Sequence, residues 1–294
     1  MLSTKLPKTQ LHKWGFDGIG TAWSIETELL LDEEIKSSIA VLVEEYDRTY
    51  SRFRSDSLVT RIATDGAGDY DFPDGSTELF ALYRSLYDMT GGAVSPLVGR
   101  LLADAGYDAA YSLRPGTISP VPKWDDVMTV RGNKVTANKS LLLDVGAAGK
   151  GQLIDSICTI LDRHISEYVV DGSGDMRVRG KLQTIGLENP FDSSMVIGSV
   201  TLTDGSICAS AVNRRAWKDW HHIVDPRVTL PVQDVVAAWA IAPLAMLADG
   251  LVTALFFVNS DAVRQRYGDD VQTVRLLADG TIEHSSNFVG ELYI

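Results

Sequence analysis

Residues 168–210 read YVVDGSGDMRVRGKLQTIGLENPFDSSMVIGSVTLTDGSICAS, and the fold turns on this stretch. Short β-prone runs at Tyr168–Asp171, Met176–Arg179, Gln183–Leu187, Val196–Leu202 and Ser206–Ser210 alternate with turn residues such as Gly172-Ser173-Gly174. A parallel connection needs a crossover of about a dozen residues or more; several of these strands join through short turns and so must be antiparallel.

Working outward to the N-terminal side, Leu141–Val145 predicts a short apolar strand and Gly146–Gly151 a glycine-rich turn. Leu153, Ile154, Ile157, Ile160 and Leu161 then form a helical stripe. Further upstream, Gly18–Glu26 reads as a strand with Ile19, Thr21, Trp23 and Ile25 on one face. Asp32, Glu33 and Glu34 suit a helix N-terminus through the macrodipole. Ile35, Ile39, Leu42, Tyr46 and Phe53 follow at helical spacing, in a helix ending near Tyr50. A second helix is predicted over Thr77–Met89, stopped by Gly91 and Gly92; residues 107–138 are rich in turn formers. On the C-terminal side come a strand at Val235–Ile241, helices at Ala245–Val258 and Asp261–Tyr267, and strands at Thr273–Leu277 and Thr281–Glu283. Without regular βαβ units, this pattern predicts an α+β fold: a mixed, largely antiparallel sheet flanked by helices. We expect one domain over residues 1–294, with residues 1–17 a poorly ordered N-terminal segment.

Hydrophobic residues make up 45% of the 294 and charged residues 22%, enough to bury a core. A net charge of -12 argues against a nucleic-acid partner, which needs a basic footprint. An anionic substrate would have to be held by local devices: amides, a few Lys or Arg, or a cation. Cys158 and Cys208 lack CxxC spacing; either they form one disulfide or they sit as small buried thiols. No run approaches the roughly 20 apolar residues of a membrane span, and no signal peptide or lipid-acceptor cysteine is evident, so a cytoplasmic location is expected.

Four constellations carry chemistry. Asp144-Val145-Gly146-Ala147-Ala148-Gly149-Lys150-Gly151 is either a phosphate cradle at a helix start or simply a tight turn. Asp249 and Thr253 share a helix face at i, i+4 among Leu244, Leu247, Leu251 and Leu255. Either Asp249 is buried and offers hard oxygens to Mg²⁺ together with Thr253, or it sits at the helix edge against water or an arginine. His221-His222-Ile223-Val224-Asp225-Pro226-Arg227 places two histidines on opposite faces of an extended segment. At most one faces a site as a base; the other readings are solvent and a packed hydrogen bond. The acidic glycine turn 171–175 lines a cleft or is only a turn. Trp124, Trp217 and Trp220 are core, ring-stacking or interface residues, with core the default reading.

Their order along the chain resembles the FAD:protein FMN transferase (ApbE-like) family. That family carries segments like M-G-T, S-x-Y-R-x-D-S, T-G-G-x-F-D-P, D-x-G-G-x-A-K-G, N-x-G-G-D, T-S-G, H-x-I-D-P-R-T-G and A-D-A-L-x-T-A-L. Here stand Ile19-Gly20-Thr21, Ser51-Arg52-Phe53-Arg54-Ser55-Asp56-Ser57, Thr90-Gly91-Gly92-Ala93-Val94-Ser95-Pro96, the 144–151 block, Asp171–Asp175, Ala209-Ser210-Ala211, His222–Arg227 and Asp249–Leu255. The resemblance spans roughly residues 18–260. It implies a T-fold-like architecture and Mg²⁺-dependent transfer of the FMN half of FAD to a Thr or Ser hydroxyl of an acceptor flavoprotein, with release of AMP. An FAD pyrophosphatase and a non-catalytic FAD-binding protein are the alternatives.

By the same resemblance, Asp249, Thr253 and the Ala147 carbonyl would bind Mg²⁺. Ile19, Phe53, Ala93, Val94, Ser95, Asp144, Lys150 and Ile223 would line the FAD site, and His222 would act as base. Five departures stand out. Val94-Ser95 replaces Phe-Asp, Ala209-Ser210-Ala211-Val212 replaces Thr-Ser-Gly-Asp, Arg227-Val228-Thr229 replaces Arg-Thr-Gly, Asp171 replaces Asn, and Ile19 replaces Met. They leave the expected metal site nearly whole and alter the rim around flavin and acceptor.

Overall fold

The computed structural model describes residues 12–293. Eight strands form one sheet in the spatial order His12–Gly18, Thr21–Thr27, Tyr168–Gly172, Asp175–Arg179, Gly205–Ala211, Val235–Ala242, Gln272–Leu277, Ile282–His284. Every pairing among the described residues is antiparallel; the joints at 172–175 and 189–192 link paired strands, whereas those at 179–183 and 202–205 carry the chain between two sheets. The first strand corrects the sequence reading: residues 12–17 are ordered as an edge strand, with His12 opposite Thr27. Its alternation of Trp14 and Phe16 with polar residues was hidden by the lysine-rich stretch before it; residues 1–11 lie outside the described residues.

The sheet buries both faces, and Val235–Ala242 shows how. Ala238, Ala240 and Ala242 face a helical layer, while Ala237, Trp239 and Ile241 face a smaller sheet. This is the period-two alternation of a strand between two cores. The small sheet consists of Gln183–Asn189, Asp192–Leu202 and Glu291–Leu292, and presents Leu187, Ile197, Val200 and Leu202 to Trp239 and Ile241.

The helical layer holds Glu33–Tyr50, Ser76–Met89, Gly149–Leu161 and Ala245–Ala254. Asp32 starts the first of these by accepting from the Ile35 amide at 2.8 Å, a cap contributing about 1 kcal/mol. Ile35, Ile39, Val43, Tyr46 and Tyr50 then bury one stripe. Phe53, read as part of that stripe, lies beyond the helix end. Helices Gly149–Leu161 and Ala245–Ala254 pack backbone against backbone: a Cβ on Gly151 would stand 2.2 Å from the Ala245 carbonyl oxygen. Among the described residues, no helix is long and apolar enough to cross a membrane.

Three local expectations change. Leu141–Val145 is not a strand. Leu141, Leu143 and Val145 alternate because they are buried under the helices, not because a neighbouring strand pairs with them. A helix at Leu58–Asp65, capped by the Ser57 hydroxyl, lies in a segment whose apolar stripe is only Val59 and Ile62. Residues 107–138 contain two paired strands, Met128–Arg131 and Lys134–Ala137, joined to Gly68–Asp71. Cys158 and Cys208 are buried and free.

Candidate active site

Two tight hairpins begin the site. Ile19-Gly20 links Gly18 to Thr21 with φ of 45° and 77°, and Ser173-Gly174 links Gly172 to Asp175 with φ of 58° and 98°. Two successive positive φ values define the primed turns that match strand twist. The tips lie side by side: Thr21 and Ser173 share a 2.5 Å hydroxyl contact, and Ser173 Oγ donates to the Ala22 carbonyl at 2.8 Å. Ile19 is β-branched, so its left-handed backbone is strained. Among the described residues six non-glycine residues have positive φ, and four of them, Ile19, Tyr111, Leu113 and Ser173, line one cavity of about 640 Å³. Strain concentrated in this way marks a site whose geometry the surrounding fold imposes.

All twelve residues singled out from the sequence line that cavity. They come from six separate stretches: Ile19; Phe53; Ala93, Val94 and Ser95; Asp144, Ala147 and Lys150; His222 and Ile223; Asp249 and Thr253. At one end, Asp249 is 6% exposed and accepts from the Gly151 amide at 2.8 Å. It has no arginine partner, which removes the surface alternative. Burial pushes its carboxyl well up, Asp175 adds to this, and Lys150 opposes it. Lys150 itself is held at 2.8 Å by Asp175, whose other oxygen accepts from the Ala209 amide at 3.0 Å. Asp175 was legible as the last residue of the acidic glycine turn, although the sequence reading gave it no role.

The glycine turn is no open cradle. The Gly146 amide donates to Asp144 at 2.7 Å and the Ala147 amide to the Tyr83 hydroxyl at 3.0 Å. Those of Ala148 and Gly149 go to the Val145 carbonyl, and that of Gly151 goes to Asp249. Of the amides of residues 146–151, only that of Lys150 is therefore left without a partner to offer a phosphate. The tight-turn reading describes the amides; the side chains around them form the site.

At the other end, Phe53 stacks on Tyr111 with ring centroids 5.0 Å apart and planes 12° apart. Tyr107 meets both edge-on and also contacts Trp217. Trp217 is buried and donates to the Ala105 carbonyl at 2.8 Å, so it is core on one side and cavity wall on the other. Trp124 is buried away from the cavity, and Trp220 packs near Leu101 and Leu102. Arg52 lies under Phe53 and Tyr107, donates to Asp144 at 2.5 Å and to the Tyr107 carbonyl at 2.5 Å, and keeps Nη2 buried without a partner. Sequence reading missed Arg52, Tyr107 and Tyr111. Arg52 occupies the variable position of its motif, and the two tyrosines sit in a loop with no periodicity.

The two histidines divide as the extended geometry requires. His221 contacts the Val232 carbonyl through Nε2 at 2.8 Å and accepts from the Ile223 amide at 3.2 Å. His222 faces the cavity, and its Nδ1 is buried without a partner. Burial, with Arg215 adding to it, pushes His222 down to about 3, so the imidazole is neutral near neutral pH.

No three His, Cys, Asp or Glu side chains gather as a metal cluster among the described residues. A divalent ion here would have to rely on mixed oxygen donors. Asp249, Thr253 and a main-chain carbonyl are such a set, and a buried carboxylate without an ion-pair partner suits a hard cation.

A sequence model of the ApbE family matches residues 19–274. The chain is 25% identical over 259 residues to the FAD:protein FMN transferase of Rhodobacter capsulatus, covering 80% of this chain and 49% of that one. It is 27% identical over 286 residues to the FAD:protein FMN transferase of Haemophilus influenzae, covering 88% and 81%. The chain spans about half the length of the Rhodobacter capsulatus and Klebsiella pneumoniae relatives, 49% and 44%. In fold it is similar to the ApbE protein of Thermotoga maritima, with TM-score 0.81 at 23% identity over 95% of this chain and 98% of that one. It is also similar to the flavin transferase ApbE of Vibrio cholerae, with TM-score 0.74 at 20% identity over 95% and 99%.

Proposed function

The chain belongs to the ApbE family, and from that membership we propose that it is a flavin transferase, moving the FMN half of FAD onto a Thr or Ser hydroxyl of an acceptor flavoprotein and releasing AMP. The observation that carries this reading is the convergence of six distant stretches, each matching a family segment, on one cavity. Asp249, Thr253 and the Ala147 carbonyl would hold Mg²⁺. When bound, the ion supplies positive charge against the pyrophosphate.

The chain's own residues do the rest. Phe53 and Ile19 receive the flavin nucleotide, with Asp144, Ile223 and the Ala93–Ser95 strip forming the wall. Lys150, fixed by Asp175, keeps the Asp249 end electrostatically tolerable. His222 takes the proton of the acceptor hydroxyl, whose oxygen forms a bond to the phosphorus of the FMN half. The bond from that phosphorus to the bridging oxygen breaks, and AMP departs with the electron pair. A base held down to about 3 is weak in the empty protein. A bound pyrophosphate adds negative charge beside it and raises its proton affinity toward the working range.

The test is a mass spectrum of a short Ser/Thr-containing peptide incubated with the protein, FAD and Mg²⁺. The expected result is a mass gain of one FMN, lost in Asp249→Ala. Free FMN and AMP without labelled peptide would mean water is the acceptor and the protein is a pyrophosphatase. Bound FAD with no turnover, repeated with folded flavoprotein acceptors, would overturn transfer in favour of a binding protein.

A further inference from the structure

Four cations line the cavity: Arg52, Lys150, Arg214 and Arg215. Three are committed to carboxylates, Arg52 to Asp144 at 2.5 Å, Lys150 to Asp175 at 2.8 Å and Arg214 to Glu188 at 2.8 Å. The lining carboxylate Asp47 is engaged from behind by Arg54 at 3.1 Å. Among the described residues this leaves one lining acid, Asp249, and one lining base, Arg215, without an ion-pair partner.

Arg215 is well placed to matter. Its carbonyl accepts from the His222 amide at 3.2 Å, and the next residues form a small hairpin in which Ala216 faces His221. Arg215 is exposed and lines the cavity, and its positive charge works to lower His222, Tyr107 and Asp249, in each case behind burial. One guanidinium thus reaches electrostatically toward both ends of the cavity.

We propose that Arg215, the one lining cation without an ion-pair partner among the described residues, grips the pyrophosphate of FAD directly. This rests on the flavin-transferase reading. All the glycine-turn amides but that of Lys150 are already partnered, and the charges of Arg52 and Lys150 are matched by Asp144 and Asp175, so neither device brings net positive charge to a dianion. A divalent ion on Asp249 leaves one positive charge. Arg215 supplies a second, and together they match the two negative charges of the pyrophosphate. The planar guanidinium can offer two parallel N–H groups to phosphate oxygens, which an ammonium cannot.

The experiment titrates FAD and, separately, riboflavin into the wild type, Arg215→Ala and Arg215→Lys, with and without Mg²⁺, following flavin fluorescence at two salt concentrations. Arg215→Ala should weaken FAD binding about ten- to a hundredfold while leaving riboflavin binding unchanged. Arg215→Lys should recover part of the loss, and the salt dependence of FAD binding should be shallower in Arg215→Ala than in the wild type. Equal FAD affinity in Arg215→Ala and wild type would overturn the proposal, as would an equal loss of riboflavin. Failure of the wild type itself to bind FAD would instead sink the flavin-transferase reading, and this inference with it.

Discussion

Gly151→Ala tests the contact on which the Asp249 end is built. The added Cβ would stand 2.2 Å from the Ala245 carbonyl oxygen, 2.5 Å from its carbon and 2.7 Å from the Met246 Cα. All three are backbone atoms of the facing helix, so no rotamer change relieves the clash. Restoring ordinary contact means moving the two helices apart by roughly 1 Å, and overpacking of this kind costs about 1–3 kcal/mol. The same movement stretches the 2.8 Å bond from the Gly151 amide to Asp249, and a hydrogen bond of this kind contributes about 0.5–1.5 kcal/mol. We expect a loss of about 3 kcal/mol, or a fall in Tm of about 6–12 °C by calorimetry. Gly174→Ala is the control. Nothing lies within 4 Å of its Cβ, and only the φ of 98° penalises it, so it should cost about 1–2 kcal/mol. Equal melting of wild type and Gly151→Ala would refute the close helix contact and with it the account of how Asp249 is positioned.

Three further outcomes are expected. Mg²⁺ at a hundred times its dissociation constant should stabilise the wild type by about 2.7 kcal/mol in a thermal-shift assay and leave Asp249→Asn unmoved; an equal shift in both would place the ion elsewhere. Removing the Arg52 side chain leaves Asp144 half-buried without its cation, so Arg52→Ala should lose about 3–5 kcal/mol in urea unfolding, and Arg52→Lys should recover only part. His222 ionises near 6.5 when unfolded and near 3 when folded, so the unfolded chain binds the extra proton between those values. Its contribution to stability is therefore intact above about pH 6.5 and falls by about 1.4 kcal/mol for each pH unit down to about pH 3. Replacing His222 with Gln should flatten the stability profile in that window, and an unchanged slope would show that the imidazole is not buried.

The sequence exposes what is periodic and hides what is not. Strands between residues 168 and 211 were legible as short runs between turns, and the tight turns at 172–175 and 189–192 admit only antiparallel pairing; that the joints at 179–183 and 202–205 cross between sheets was not legible. The helix Glu33–Tyr50 was legible because its cap, acidic first turn and buried stripe agree. Leu141–Val145 misled because alternation records burial, and helices can bury one side of an extended segment as well as a sheet can. The helix Leu58–Asp65 escaped because its two buried residues are too few to establish a period. In the site, residues on recurring motifs could be assigned positions in advance. Tyr107 and Tyr111 could not, since their rings reach the cavity from an aperiodic loop whose path depends on backbone conformations, such as the φ of 49° at Tyr111, that composition does not specify.

The strand Val235–Ala242 carries alanines toward the helices and Trp239 and Ile241 toward the small sheet, and this lopsidedness makes the two cores unequal in slack. Side chains with rotamers can reshuffle, so an exchange in the sandwich of Ile241, Leu187 and Val200 can be absorbed where it occurs. Methyl groups facing closely packed helices have no such freedom. A larger residue at Ala240 or Ala242 would pass its displacement on as a rigid shift of the helix that carries Asp249 and Thr253. Tolerance to sequence drift should therefore differ across one strand, residue by residue, with Ala240 and Ala242 answering to the helices that carry the site, Ala237 and Ile241 to packing, and Trp239, which also lines the cavity, to both.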